Sequence, residues 1–190
     1  MGCDRTAEYY LCLYQGNGGK LLQRPLLCCQ LGRIPKKRHF CRSIPFLQFE
    51  SSGETQAQNF ISTVGALDNA LPPVVDLEFY GGYAENPLSK TETRRILDAL
   101  LQSLEDYYGV KPIIYTTPKA YYQYLLGGGY GSYPLWMRNT YYEPKMNWTF
   151  WQYSDKGELE GYDGRQEDNL EEYIDLNVYH GTAEEFLEEF

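Results

Sequence analysis

The chain has 190 residues, which is enough for one domain with a substantial hydrophobic core. Its apolar fraction of 43% is ordinary for a globular protein, and its net charge of −9 argues against a nucleic-acid partner. No apolar stretch approaches the roughly 18 residues of a membrane span, and the residues after Met1 lack the composition of a signal peptide.

The composition changes sharply near residue 49. All five cysteines lie within residues 3–41, and Asp4 and Glu8 are the only acidic residues before Glu50. A basic run also lies in residues 33–42, whereas the rest of the chain reads as an ordinary acidic protein. We therefore divide the chain into an aberrant segment, residues 1–48, and a domain, residues 49–190.

Helices and strands alternate from residue 54 onward. Apolar spacing, caps and helix-ending glycines predict helices over 54–67, 89–109, 118–129 and 182–190. The predicted capping boxes are Thr55 with Gln58, Ser89 with Glu92, and Thr182 with Glu185. Short apolar runs predict strands over 73–79, 112–117, 134–138, 148–154 and 171–179. The charged, Gly-rich stretch 157–173 is predicted to be a solvated loop. Such alternation predicts βαβ units and a mostly parallel sheet or barrel.

The string LPPVVDLEFY, residues 71–80, places two carboxylates at the end of the first predicted strand. Residues i and i+2 of a strand point the same way, so Asp76 and Glu78 share a face with Cα atoms roughly 6.6 Å apart. Two close carboxylates raise each other's pKa, and one can then act as the general acid that glycoside hydrolysis needs. The tripeptide Asp-Leu-Glu, residues 76–78, by itself favours a simpler interpretation, in which the two acids are solvated or cap a helix.

Five strings occur in a fixed order after residue 54: PPVVDLE, KPIIYTT, PLWMRNT, WTFWQYSDKGELEGY and IDLNVYHG. As an ordered set, they resemble the glycoside hydrolase family 25 lysozymes. The resemblance implies an α/β fold, a TIM-like (β/α) barrel of the family 25 type. It also implies cleavage of the β-1,4 bond between N-acetylmuramic acid and N-acetylglucosamine in bacterial peptidoglycan. No metal or other cofactor is implied.

The same resemblance assigns roles to individual residues. Glu78 would protonate the leaving oxygen, and Asp76 and Asp175 would be the supporting carboxylates. The residues that would line the sugar cleft are Tyr115, Trp136, Gln152 and Tyr153. Aromatic faces stack on sugars but also fill cores, so plain core packing is the alternative for Tyr115 and Trp136. The expected binding partner is bacterial cell-wall peptidoglycan. The protein is expected to be a monomer and to act outside the cell or at the cell wall.

Residues 1–49 lack the family's N-terminal strings, among them G-I-D-V-S, whose Asp is a further active-site carboxylate, and F-V-Y-I-K-A-T-E-G. When residues 11–19, LCLYQGNGG, are read one nucleotide later, the new codons begin with T, G, T, A, A, G, A, G and G. Those are the first bases of the codons for F-V-Y-I-K-A-T-E-G. The same shift turns RPLL, residues 24–27, into D-P-Y-F. Residues 1–48 thus resemble an out-of-frame translation of the family's N-terminal region, with the frame restored near Gln48.

Two expectations follow if residues 1–48 are out of frame. A barrel without its first strands has open sheet edges, so residues 1–48 should be poorly ordered and the chain as written should degrade peptidoglycan weakly. A non-catalytic peptidoglycan-binding remnant is an alternative function. A further alternative is an interaction protein whose five cysteines and His39 form a metal or disulfide module, although their spacings match no zinc pattern.

Overall fold

The computed structural model describes residues 46–66, 71–158, 165–166, 169–170 and 173–190. The predicted out-of-frame segment, apart from residues 46–48, lies outside the described residues, as do the cysteines and His39. Phe46 and Leu47 precede the predicted domain boundary but already belong to the fold. Phe46 forms a parallel bridge with Asp76, and the fully buried Leu47 donates its backbone N–H to the Asp76 carbonyl at 2.9 Å.

Within the residues that the structure describes, the α-helices follow the order predicted from the sequence. They are α1 (Gly53–Val64), α2 (Lys90–Tyr108), α3 (Pro118–Ala120, continuing as a π-helix over Tyr121–Leu125) and α4 (Ala183–Glu189). Short 3₁₀ turns lie at Gly81–Ala84 and Tyr130–Ser132. Among the described residues, no helix is both long enough and apolar enough to cross a membrane.

Local capping chemistry sets the helix ends. Ser89 caps α2 through the Glu92 N–H, and Thr182 forms the predicted capping box of α4 with Glu185. The prediction for α1 was wrong, because Ser52 rather than Thr55 is its cap and accepts the Thr55 N–H at 3.3 Å. Serine and threonine both fill the N-cap position, and the cap of α1 lies three residues before the predicted one.

The strands are β1 (Val74–Leu77), β2 (Ile113–Thr116), β3 (Leu135–Arg138), β4 (Phe150–Gly157), β5 (Arg165–Gln166), β6 (Asn169–Leu170) and β7 (Ile174–Tyr179). The main sheet has the order β1-β2-β3-β4-β7, with the first four strands parallel and β7 antiparallel to β4. The mostly parallel sheet is therefore confirmed. The prediction of a loop over 157–173 was wrong in part, since β5 and β6 pair there as a two-stranded ribbon too short to leave an apolar pattern.

The two faces of the main sheet have different partners. Val75, Leu77 and Ile114 on one face pack with the buried stripes of α1 and α2. Val74, Ile113 and Phe150 point to the other face, where Phe186 of α4 joins the same apolar cluster. Because side chains alternate along a strand, this second face continues toward the carboxyl ends of β1–β4. There its residues become polar.

Candidate active site

Two rows of side chains cross the carboxyl end of the sheet. In register on neighbouring strands, the rows are Asp76–Tyr115–Trp136 and Arg138–Gln152–Asn177. Trp136 and Arg138 are two residues apart on β3 and therefore share a face. Because β7 runs antiparallel to β4, Asp175 near its start also lies toward this end of the sheet. The topology thus gathers residues from five strands at one edge.

Glu78 follows β1 directly and is half-buried. Its burial raises the pKa of the carboxyl above its ordinary value, because a charged carboxylate loses hydration there. The Arg138 guanidinium acts in the opposite direction, and the negative charge of Asp175 adds to the increase. Protonation of Glu78 is therefore favoured, while a nearby cation remains available to stabilise the carboxylate left after proton donation.

The charges of the three candidate carboxylates all act on the hydroxyl of Tyr115. Burial raises the pKa of Tyr115, and the charges of Glu78, Asp76 and Asp175 raise it further. Asp76 is 2% exposed, whereas Asp175 is half-buried. Within the described ranges, no group of three or more His, Cys, Asp or Glu side chains is arranged to hold a metal ion.

The aromatic and amide residues predicted to line the cleft occupy different environments. Tyr115 donates its hydroxyl to Gln152 Oε1 at 2.6 Å, and both side chains are buried. Trp136 has no exposed surface and donates Nε1–H to Asn177 Oδ1 at 2.9 Å. This burial favours core packing for Trp136. Tyr153 is half-buried, with its ring 5.9 Å from that of Trp151.

Two residues of this site were missed from the sequence. Arg138 lies near Glu78 and forms an ion pair with Asp155, Nη2 to Oδ2, at 2.9 Å. Asn177 holds the indole of Trp136 and donates Nδ2–H to the Asp175 carbonyl at 3.3 Å. A period-2 signal was present for both, since Arg138 follows Trp136 by two residues and Asn177 follows Asp175 by two.

Tyr115→Phe should lower the free energy of unfolding by about 1–2 kcal/mol, because the buried Gln152 Oε1 would lose its donor. Urea unfolding monitored by circular dichroism measures this difference. Tyr141→Phe is the matched control, since the Tyr141 side chain is 91% exposed and should change stability little. Equal stability of the Tyr115→Phe variant and the parent would contradict a structural role for the hydrogen bond.

Comparison with known proteins shows the family to which this chain is similar. The sequence profile of the glycosyl hydrolases family 25 matches residues 39–162. The uncharacterized protein YegX of Escherichia coli K12 is 34% identical over 139 residues, which are 70% of this chain and 46% of YegX. The chain therefore spans about half the length of the curated relatives it matches.

Solved structures give the same result. A family 25 glycosyl hydrolase from Bacillus anthracis is 40% identical with a TM-score of 0.66, over 75% of this chain and 65% of that one. The bacterial lysozyme from Streptomyces coelicolor is 25% identical with a TM-score of 0.62, over 76% of this chain and 69% of that one. With a profile match across most of its length and these relatives in both sequence and fold, the chain belongs to the glycosyl hydrolases family 25.

Proposed function

We propose that the chain is a peptidoglycan hydrolase that cleaves the β-1,4 bond between N-acetylmuramic acid and N-acetylglucosamine. The observation that carries this proposal is Glu78, a half-buried carboxyl with a raised pKa beside two further acids at the carboxyl edge of the sheet. Parallel α/β folds place their chemistry at this edge. Membership of family 25 and likeness to a bacterial lysozyme support the choice of substrate.

The reaction begins with proton transfer in this proposal. Protonated Glu78 donates its proton to the glycosidic oxygen as the C1–O bond breaks, and the bonding electron pair leaves with that oxygen. Positive charge develops at C1, where the carboxylates of Asp76 and Asp175 can stabilise it. Water supplies the hydroxyl that ends on C1, and the remaining proton of that water replaces the one that Glu78 donated. Arg138 stabilises the Glu78 carboxylate until it is protonated again.

The substrate determines where this chemistry takes place. Peptidoglycan is an extracellular polymer, so the enzyme would act at the cell wall or outside the cell. We propose a monomer as the acting form.

Product analysis tests the bond that is cleaved. Purified cell walls are incubated with the protein, reduced with borohydride and analysed by mass spectrometry. We expect soluble muropeptides whose reduced end is N-acetylmuramic acid, because the proposed cleavage frees its C1. Reduced ends on N-acetylglucosamine, or release of free peptides alone, would contradict the proposal. Retention on walls with no soluble product would instead support a non-catalytic binding protein.

A further inference from the structure

An ion pair between Arg138 and Asp155 lies at the same edge of the sheet as Glu78. Arg138 ends β3, Asp155 lies on β4, and Glu78 follows β1. In the sheet order β1-β2-β3-β4, Asp155 and Glu78 therefore lie on opposite sides of Arg138. The guanidinium Nη2 is 2.9 Å from Asp155 Oδ2. Among the described residues, Arg138 forms an ion pair with Asp155 and none with Glu78.

A β-bulge in β4 turns Asp155 toward Arg138. Strict alternation would place Asp155 on the face of the sheet opposite Gln152, because the two are three residues apart. The β4–β7 register, however, pairs Gln152 and Ser154 with consecutive residues of β7, so β4 carries one extra residue there. The extra residue reverses the alternation and returns Asp155 to the face that Gln152 shares with its register partner Arg138.

The charges near this ion pair influence one another. Burial lowers the pKa of Arg138, but charge interactions with Tyr115, Glu78 and Asp155 raise it above its ordinary value. Burial raises the pKa of Glu78, Arg138 lowers it and Asp175 raises it. Besides Arg138 and Glu78, the titratable groups that act at this edge of the sheet are Asp76, Tyr115, Asp155 and Asp175.

The position of the Arg138 guanidinium matters for the acid. An opposite charge within about 4–6 Å lowers the pKa of a carboxyl by about 1–3 units, so a direct pair with Arg138 would hold Glu78 in its charged form. A general acid must instead keep its proton at the working pH. The strands β1 and β3 are two strand spacings apart, roughly 10 Å, a gap that the long side chains of Arg138 and Glu78 can bridge together.

We propose that Asp155 is a positioning residue, which retains the Arg138 guanidinium on the β4 side of the site and keeps it from pairing directly with Glu78. The proposal rests on the proposed function, since it concerns the acid of that reaction. In this role Asp155 contacts neither the glycosidic oxygen nor C1 and acts through Arg138. Glu78 thereby keeps its proton for the glycosidic oxygen, and Arg138 stays near enough to stabilise the carboxylate once the proton has left.

Titration of Glu78 by NMR of the full chain, labelled with ¹³C-glutamate, tests the proposal directly. The Glu78 signal is the one that is missing from the spectrum of Glu78→Gln. Asp155→Ala should lower the pKa of Glu78, because the released guanidinium can approach its carboxylate. In an Arg138→Met background the same substitution should leave this pKa unchanged. Asp155→Glu, which keeps the charge, should hold it near that of the parent.

Muropeptide release gives a second measurement. Asp155→Ala should lower kcat about three- to tenfold at pH values above the pKa of Glu78, where fewer molecules carry the proton. At lower pH the rate should match the parent, and KM should change little. Glu92→Gln is the matched control, since it removes the carboxylate of another ion pair, that with Arg95 at 2.7 Å on the exposed side of α2. It should change neither the rate nor the pKa of Glu78.

Three results would overturn the assignment of Asp155. They are an unchanged or raised pKa of Glu78 in Asp155→Ala, an equal decrease in the Arg138→Met background, and a rate lowered by the same factor at every pH. The last would indicate a purely structural ion pair. Should Asp155→Ala not fold, Asp155→Asn removes the same charge and is expected to act in the same direction. If the parent chain releases no muropeptides, the proposed function fails, whereas the NMR titration still decides the role of Asp155.

Discussion

Glu78→Gln is expected to slow the release of muropeptides from purified cell walls by about 10²–10⁴-fold, the usual value of general acid catalysis. Glutamine keeps the shape of the side chain but has no proton to transfer to the glycosidic oxygen. The substitution should therefore lower the turnover number kcat and leave substrate binding nearly unchanged. Initial rates of muropeptide release, followed by chromatography over a range of wall concentrations, separate these two effects.

Glu85→Gln is the matched control for this variant. Glu85 is exposed at the end of the 3₁₀ turn that follows Glu78, and the same substitution there should leave the rate unchanged. Both variants need a circular dichroism spectrum equal to that of the parent. If Glu78→Gln kept more than about a tenth of the parent rate, the loss would be smaller than the range expected for lost acid catalysis. The assignment of Glu78 as the general acid would then be wrong.

The pH profile offers an independent check on the same residue. Glu78 acts in its protonated form, so activity should be present below its pKa and fall as the pH rises through it. Arg138 lowers this pKa and Asp175 raises it. Arg138→Met should consequently move the alkaline limb to higher pH, and Asp175→Asn should move it to lower pH. Shifts in the same direction for both variants would contradict the electrostatic account of Glu78.

Gly53→Ala should reduce the free energy of unfolding by about 3 kcal/mol, at the upper end of overpacking effects. Gly53 opens α1 and lies directly against α2. A Cβ atom at this position would be 2.2 Å from the Ile96 carbonyl oxygen and 2.5 Å from the Leu100 nitrogen. Both are backbone atoms within a helix, so relief requires the two helices to separate. Such a shift would disturb the contacts of Phe60 with the apolar stripe of α2.

Gly82→Ala is the control for that clash. Gly82 lies in an exposed 3₁₀ turn, and a Cβ atom there would meet nothing within 4 Å. Urea unfolding of the two variants against the parent measures the difference. A Gly53→Ala protein as stable as Gly82→Ala would show that α1 and α2 can move apart at little cost, contrary to the packing described above.

Helix ends and the apolar stripe of α2 were predictable because they depend on neighbours three or four residues away. Ser89, Gly109 and Thr182 act through hydrogen bonds to the adjacent turn, and the sequence shows both partners of each bond. The cap of α1 was predicted at Thr55, whereas the structure has Ser52 there, because the choice between two hydroxyl side chains depends on how the chain enters the helix.

The acid pair of the site was also visible in the sequence. Asp76 and Glu78 are two residues apart in the predicted strand 73–79, and alternation predicts that they share a face. Strand alternation does not predict the surroundings of each carboxyl group, and these surroundings distinguish the roles of the two acids. Asp76 lies within β1 and is almost fully buried, whereas Glu78 lies just beyond the strand, near a cation and another acid.

By itself, then, the sequence determined the family and the order of the elements, because these depend on local spacing and on ordered strings. Only the tertiary structure placed Arg138 near Glu78, joined Tyr115 to Gln152 and buried Trp136 against Asn177. The Tyr115 and Gln152 partners are 37 residues apart, and those of Trp136 and Asn177 are 41 apart. Strand register sets such pairs, and register depends on how the whole sheet packs.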